Sequence, residues 1–435
     1  MKFQLQPGGC LQGKVRVPGD KSMSHRSVML GSLAEGTTQV TGFLQGEDAL
    51  ATVAAFRAMG VEIEGPVDGK MTIHGRGLRG LTAPSSIMDM GNSGTSMRLL
   101  AGILAGQPFD SELVGDASLM KRPMGRVITP LTKMGASIDS APEGRPPLKV
   151  NGGQSLKGIH YDLPMASAQV KSSVLLAGLF AEGRTSVTEP APTRDHTERM
   201  LRGFGYEVDN HNGVISLEGG GTLRGTDIDI PADVSSAAFF LVAASIAPGS
   251  DLTLEHVGMN PTRIGVLNIL GLMGADIEVL NQREVGGEPV ADLRVRHAPL
   301  RGIVIPEEEV PLAIDEFPAL FVAAACAEGR TILRGAEELR VKESDRIAAM
   351  AEGLTTLGIT NEPTPDGIII EGGEFGGGSI RTFHDHRIAM SFAVAALRAK
   401  APIEVLDCDH VATSFPNFAE LAAGAGLQLS IDRGE

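Results

Sequence analysis

A two-helix unit recurs six times along this chain, and few architectures accommodate such a pattern. In one half of the unit, a helix rich in small residues ends in a short turn, usually with Gly, before a β-prone stretch. It occurs at Leu33-Ala34-Glu35-Gly36-Thr37, Leu104-Ala105-Gly106-Gln107, Ala181-Glu182-Gly183-Arg184-Thr185, Ala247-Pro248-Gly249-Ser250, Ala327-Glu328-Gly329-Arg330-Thr331 and Leu397-Arg398-Ala399-Lys400. In the other half, a helix closes on Gly and an alternating strand follows. Examples are Met59-Gly60-Val61, Met134-Gly135-Ala136, Phe204-Gly205-Tyr206, Met273-Gly274-Ala275, Leu357-Gly358-Ile359 and Ala425-Gly426-Leu427. The terminal Gly in each suits a left-handed C-cap. In a chain of 435 residues the copies average roughly seventy, too long for the usual solenoid repeats. Three copies per globular domain is the natural division. The break is expected before the fourth small-residue helix, near Pro231-Ala232-Asp233, with the N-terminal strand crossing to the later half.

The polar residues gather where the helices begin. The first helices open at Lys21-Ser22, Asn92-Ser93-Gly94-Thr95, Ser167-Ala168-Gln169, Asp233-Val234-Ser235-Ser236, Asp315-Glu316 and His384-Asp385-His386-Arg387. The second open near Glu47-Asp48, Lys121-Arg122-Pro123, Thr193-Arg194-Asp195-His196, Asn260-Pro261-Thr262-Arg263, Lys342-Glu343-Ser344-Asp345-Arg346 and Thr413-Ser414-Phe415-Pro416. A helix N-terminus presents unpaired N–H groups and a partial positive charge, so cations added there make sites for phosphate or carboxylate. If equivalent helices point the same way, two such faces opposed would make a cleft for anions.

Charge and composition narrow the function. The net charge of −15 argues against non-specific nucleic-acid binding, while a local basic cleft still sets its own potential for small anions. Cys10, Cys326 and Cys408 form no CxxC pair, which fits a reduced cytoplasmic setting without a thiol-ligated metal. No secretory signal is recognisable at the N-terminus. The apolar run Ala237–Ala247 is too short for a bilayer and reads as a buried helix.

Several motifs have plain structural readings. Gly8-Gly9-Cys10-Leu11-Gln12-Gly13-Lys14-Val15 nearly matches a phosphate-binding P-loop, but Val15 replaces the required hydroxyl and Lys14-Val15-Arg16-Val17 reads as strand. His384-Asp385-His386 lacks metal-ligand spacing, so Asp385 is better read as an N-cap. Arg122-Pro123 puts a guanidinium ahead of a proline suited to a first helical turn. Glu343 lies one turn before Arg346, either as part of a solvated helix or as a carboxylate held among cations for proton transfer.

Together, Pro18-Gly19-Asp20-Lys21-Ser22, Gly91-Asn92-Ser93-Gly94-Thr95, Lys121-Arg122-Pro123, Ala166-Ser167-Ala168-Gln169, Thr193-Arg194-Asp195-His196-Thr197-Glu198, Arg340-Val341-Lys342-Glu343-Ser344-Asp345-Arg346, Asp385-His386-Arg387 and Ser414-Phe415-Pro416 closely resemble the 5-enolpyruvylshikimate-3-phosphate synthases. The resemblance runs from Val17 to Phe418. It implies an α/β fold of two similar domains, each with three βαβαββ-type repeats, the inside-out α/β barrel of the enolpyruvyl transferases. Residues 1–18 and 233–435 would form one domain and 19–232 the other, with the active site in the cleft between them.

The implied reaction transfers the enolpyruvyl group of phosphoenolpyruvate to the 5-hydroxyl of shikimate 3-phosphate and releases phosphate, in the route to chorismate and aromatic amino acids. Lys21, Gly94, Arg122, Gln169, Arg346 and Arg387 match positions that bind phosphoenolpyruvate. Lys21, Ser22, Arg26, Ser167, Ala168, Gln169, Arg194, Asp315 and Lys342 match positions that bind shikimate 3-phosphate. Lys21, Asp315 and Glu343 match the catalytic groups. No metal or organic cofactor is implied, glyphosate is the expected inhibitor, and a cytoplasmic monomer without nucleic-acid or membrane partners is the expectation. Ser167-Ala168-Gln169, Arg194-Asp195-His196-Thr197 and Thr413-Ser414-Phe415-Pro416 are similar to the family's second branch, and Gly94 implies glyphosate sensitivity. The alternatives are the UDP-N-acetylglucosamine enolpyruvyl transferase, disfavoured because Gly115–Met120 has no cysteine, a non-catalytic phosphometabolite-binding protein, and a nucleotide-dependent kinase.

Overall fold

The computed structural model describes residues 1–434. The chain divides into two compact units, the first formed by Met1–Pro18 with Pro231–Glu435 and the second by Gly19–Ile230.

Among the described residues, six separate sheets are built on a common plan, three within each unit. In the second unit, Asp227–Asp229 runs parallel to Thr37–Thr41, which continues antiparallel to Lys70–His74 and then Glu62–Val67. The sheets containing Ser111–Val114 and Arg184–Thr188 repeat this order. In the first unit, Gln12–Val15 pairs parallel with Asp251–Gly258, while Lys2–Leu5 lies between Ile403–Val405 and Leu429–Asp432. Alternation along Lys2–Leu5 buries Phe3 and Leu5 and turns Lys2 and Gln4 outward, the pattern of a sheet with one covered face.

The helices that open on the polar motifs fill the interiors. Every residue of Val234–Ile246 is buried, as are Phe317–Ala325 within Phe317–Cys326. A helix of 13 residues with no charged face and every residue buried is a core helix. The outer helices are amphipathic: Gly125–Lys133 buries only Val127, Pro130 and Leu131. Helices inside and sheets outside match the implied architecture. Among the described residues, however, the sheets remain open and are not joined into a closed barrel, because each strand finds its partners within its own local sheet.

All six glycines that close the second helices, from Gly60 to Gly426, have positive φ. Gly106 differs: its φ is −92°, and a Cβ there would meet the Phe180 ring at 2.3 Å. Close packing, not a left-handed turn, requires glycine at that position. The Phe-Pro motif also has a packing role in the structure: Phe415 is fully buried, 5.4 Å from Phe418 and 6.1 Å from Phe240 between ring centroids.

Candidate functional site

In the second unit, Asp20 caps the helix Lys21–Leu33 by accepting from the Met23 N–H at 2.8 Å. Ser22 sits inside the first turn of this helix. The Lys21 ammonium lies on the carboxylate of Asp48, from the first turn of Glu47–Ala58. Arg26 is buried, and its guanidinium donates to Thr197 Oγ1 at 2.7 Å, Ser172 Oγ at 2.9 Å and the Ser22 carbonyl at 2.9 Å. It therefore joins three segments that carry candidate binding residues.

His25 follows the same helix inward. Its Nδ1 is 2.8 Å from Thr52 Oγ1, which continues to Ser96 Oγ at 2.7 Å and from there to Ser93 Oγ at 2.7 Å. Burial, reinforced by the charges of Lys21 and Arg26 and opposed by Asp20, holds the imidazole pKa well below its ordinary value of 6.5.

Two inner helices of this unit approach unusually closely. A Cβ on Gly102 of the helix Gly94–Ala105 would lie 2.3 Å from the Ser173 carbonyl of Ala168–Gly178. That approach brings their starts together, and Gln169 donates to Thr95 Oγ1 at 2.9 Å while accepting from Arg98. Ser167 caps its helix through the Val170 N–H at 3.4 Å, with Ala168 as the first helical residue. Arg122 donates to Asn92 Oδ1 at 2.6 Å. A Cβ on Gly94 would stand 3.2 Å from the Nη1 atoms of both Arg122 and Arg98. Pro123 does not enter a first helical turn as expected. A short 3-10 turn, Leu119–Lys121, ends at Arg122 in extended conformation, and the helix starts only at Gly125. Arg194 lies just before the helix His196–Gly203.

In the first unit, Arg346 organises the site. It is 1% exposed, and its guanidinium reaches Asp385 Oδ2 at 2.9 Å, Glu343 Oε2 at 2.7 Å and Asp315 Oδ1 at 3.2 Å. Burial alone would lower its pKa, but Asp385, Glu343 and Asp315 outweigh that and hold it above the usual arginine range. The solvated-helix reading of the Glu343–Arg346 pair is therefore overturned. Asp345 caps the helix Arg346–Thr356, leaving Glu343 outside it, so the pair meets across the cap. Lys342 Nζ is 3.4 Å from Asp315 Oδ1. Arg387 Nη1 donates to the Asp315 carbonyl at 3.0 Å and lies 3.9 Å from the carboxylate of buried Glu316. Asp385 does cap its helix, through the Arg387 N–H at 3.0 Å, and its other oxygen serves Arg346.

Lys21, Ser22, Arg26, Gly94, Arg122, Ser167, Ala168, Gln169 and Arg194 thus belong to the second unit. Asp315, Lys342, Glu343, Arg346 and Arg387 belong to the first. Asp48, Arg98, Glu316 and the Asp385–Arg346 contact were not assigned roles from sequence. Arg98 is the one charged residue of the helix Gly94–Ala105, and that was the available signal for it. The others depend on contacts between segments remote in sequence. Gly13-Lys14, the end of the near P-loop, lies on the strand Gln12–Val15, where Lys14 is 3.6 Å from Glu255. No described helix is long and apolar enough to cross a membrane.

Comparison with known proteins extends these observations. The profile of the family described as EPSP synthase (3-phosphoshikimate 1-carboxyvinyltransferase) matches residues 5–421. The 3-phosphoshikimate 1-carboxyvinyltransferase of Alkalilimnicola ehrlichii is 68% identical over 431 residues, covering 99% of this chain and 97% of its own. That of Methylococcus capsulatus is 67% identical over 429 residues, with coverage of 99% and 98%. A solved EPSP synthase from Acinetobacter baumannii superposes with a TM-score of 0.89 at 61% identity, covering 99% of this chain and 100% of that one. The enolpyruvyl transferase NikO from Streptomyces tendae, at 18% identity, shares the fold with a TM-score of 0.77, covering 99% and 98%. With its full-length matches and the polar helix starts described above, the chain belongs to the EPSP synthase family of transferases, the 3-phosphoshikimate 1-carboxyvinyltransferases.

Proposed function

We propose that this chain transfers the enolpyruvyl group of phosphoenolpyruvate to the 5-hydroxyl of shikimate 3-phosphate, giving 5-enolpyruvylshikimate 3-phosphate and phosphate. The observation that carries the reading is Arg346 holding Asp315 and Glu343 on one buried guanidinium. Two carboxylates kept that close on a fixed fork are placed to move protons at neighbouring atoms of one substrate complex.

Asp315 accepts the proton of the 5-hydroxyl as its oxygen attacks C2 of phosphoenolpyruvate. Glu343, with Lys21, delivers a proton to the methylene carbon. In the second half, the methyl group formed returns a proton to the same group while the C2–O bond to phosphate breaks, restoring the double bond; Asp315 passes the hydroxyl proton to the departing phosphate and is again a carboxylate. Lys21, Arg122, Arg346 and Arg387 offset the carboxylate and phosphate of phosphoenolpyruvate, with Gly94 and Gln169 beside them. Ser22, Arg26, Ser167, Ala168, Gln169, Arg194 and Lys342 hold shikimate 3-phosphate. Residues 1–18 with 233–435 and residues 19–232 act as the two domains, closing on the substrates to exclude water. Glyphosate, an anion with a carboxylate and a phosphonate, competes for the phosphoenolpyruvate cations. The proposed enzyme is a monomer working in the cytoplasm.

The test incubates the protein with both substrates in the absence of metal and nucleotide. Phosphate release with an enolpyruvyl ether product is expected. Binding without turnover would favour a metabolite sensor, and activity only with UDP-N-acetylglucosamine would favour the related transferase. X-ray scattering checks closure: an unchanged radius with both ligands bound would refute it.

A further inference from the structure

Lys171 stands two residues beyond Gln169 on the inner helix Ala168–Gly178 and is 1% exposed. Its ammonium is 3.1 Å from Glu189 Oε1 and 2.8 Å from Glu198 Oε1, carboxylates whose side chains are themselves 9% and 4% exposed. Exposed ion pairs contribute little, but a charge buried this deeply depends on its partners to remain in place. Glu189 directly follows the strand Arg184–Thr188, and Glu198 lies in the first turn of the helix His196–Gly203. One lysine therefore ties both ends of the segment that contains Thr193 and Arg194. Within it, Thr193 Oγ1 donates to Glu189. Beside it, Thr197 Oγ1 donates to Ser172 Oγ at 2.7 Å, fastening the same two helices a second time.

We propose that Lys171, Glu189, Glu198 and Thr193 are positioning residues that hold Arg194 in register with Ser167 and Gln169, so that the three meet one anionic substrate, shikimate 3-phosphate. The inference rests on the assignment of Arg194 above. Pinning a loop at both ends removes alternative placements of its cation, and misplacing a binding group by about 1 Å can cost up to about 10²-fold. The cluster itself touches no substrate. Its effect is on the affinity for shikimate 3-phosphate and not on that for phosphoenolpyruvate.

Four variants test this: Glu189→Ala, Glu189→Gln, Thr193→Val and Arg194→Ala. Glu189→Ala detaches the start of the segment yet leaves Lys171 balanced by Glu198. It should raise both the calorimetric Kd and the KM for shikimate 3-phosphate by about 10- to 100-fold, with the KM for phosphoenolpyruvate within about twofold. Glu189→Gln keeps an acceptor for Thr193 and Lys171 and should recover most of that loss. Thr193→Val leaves the buried charges intact and decides the matter should Glu189→Ala fail to fold; a selective loss of about threefold or more is expected. If Arg194→Ala weakens shikimate 3-phosphate while Glu189→Ala and Thr193→Val do not, the positioning role is overturned. If Arg194→Ala has no effect, the assignment of Arg194 itself is overturned, and the positioning role with it.

Discussion

Replacing Gly94 by alanine should separate stability from phosphoenolpyruvate binding, because the two respond in opposite directions. Gly94 begins the helix Gly94–Ala105 behind the Ser93 cap, and its backbone is outside the left-handed region. Alanine there reduces unfolded-chain entropy and should stabilise the fold by about 0.4–1 kcal/mol. The new methyl carbon, however, would sit 3.2 Å from Nη1 of Arg122 and of Arg98, tighter than ordinary contact. Both neighbours are ends of flexible side chains, so they yield by a few tenths of an ångström and do not unfold the helix. Arg122 also donates to Asn92 at 2.6 Å, so pushing Nη1 shifts its guanidinium from the position proposed for binding the anion. A hydrogen bond to a charged group contributes about 1.5–3 kcal/mol, and losing roughly half of one costs about 1 kcal/mol. That is about a fivefold loss of affinity. The Tm should rise by about 1–4 °C, while the KM for phosphoenolpyruvate rises about fivefold and glyphosate inhibition weakens at least as much. Calorimetry and initial-rate kinetics at saturating shikimate 3-phosphate measure both. An unchanged KM, or a lowered Tm, would refute the reasoning.

Glu343→Gln preserves an acceptor for Arg346 and removes the titratable proton, so kcat should fall by about 10²–10⁴-fold with little change in phosphoenolpyruvate affinity; equal losses in both would reduce Glu343 to a structural role. Arg346→Lys keeps the charge but cannot serve Asp385, Glu343 and Asp315 together, and should lower both Tm and kcat, whereas native-like turnover would contradict the shared-fork geometry. His25 is neutral in the fold at a pH where the unfolded chain takes up a proton, so stability falls as pH drops below about 6.5, by up to about 1.4 kcal/mol per pH unit. Urea unfolding at pH 7 and 5.5 should show a smaller acid loss for His25→Gln than for the parent, and equal losses would exclude the histidine as the source. Burial pushes the Cys408 thiol up to about 12, so it should resist iodoacetamide at neutral pH and react only after denaturation; labelling of the native protein at this position would show that the first unit opens.

Much of the architecture was legible as local pattern. The repeated Gly closures, the alternation of strands such as Lys2–Leu5 and the apolar helix around Phe239 and Phe240 each report on neighbours within a few residues, where chain geometry sets the period. The Asp385 cap was legible for the same reason, since the carboxylate bonds an N–H two residues away. Gly106 was misread because its requirement comes from Phe180, across a helix pair and far along the chain. The Phe415 motif was read as part of a functional signature, and the packing of three aromatic rings accounts for its burial.

The candidate site divides along the same line. Residue types at the helix starts were enough to indicate anions, because N-terminal N–H groups and cations act through local electrostatics. Which groups share a guanidinium was not legible. Arg346 meets Asp315 and Asp385 from separate repeats, Lys21 meets Asp48 from the next helix, and Lys171 gathers Glu189 and Glu198 from both ends of one segment. The sequence by itself determined the helix starts, their charge and the family. Tertiary structure alone decided the pairings, because Coulomb and hydrogen-bond energies depend on distance and burial, which are settled only when the inner helices pack.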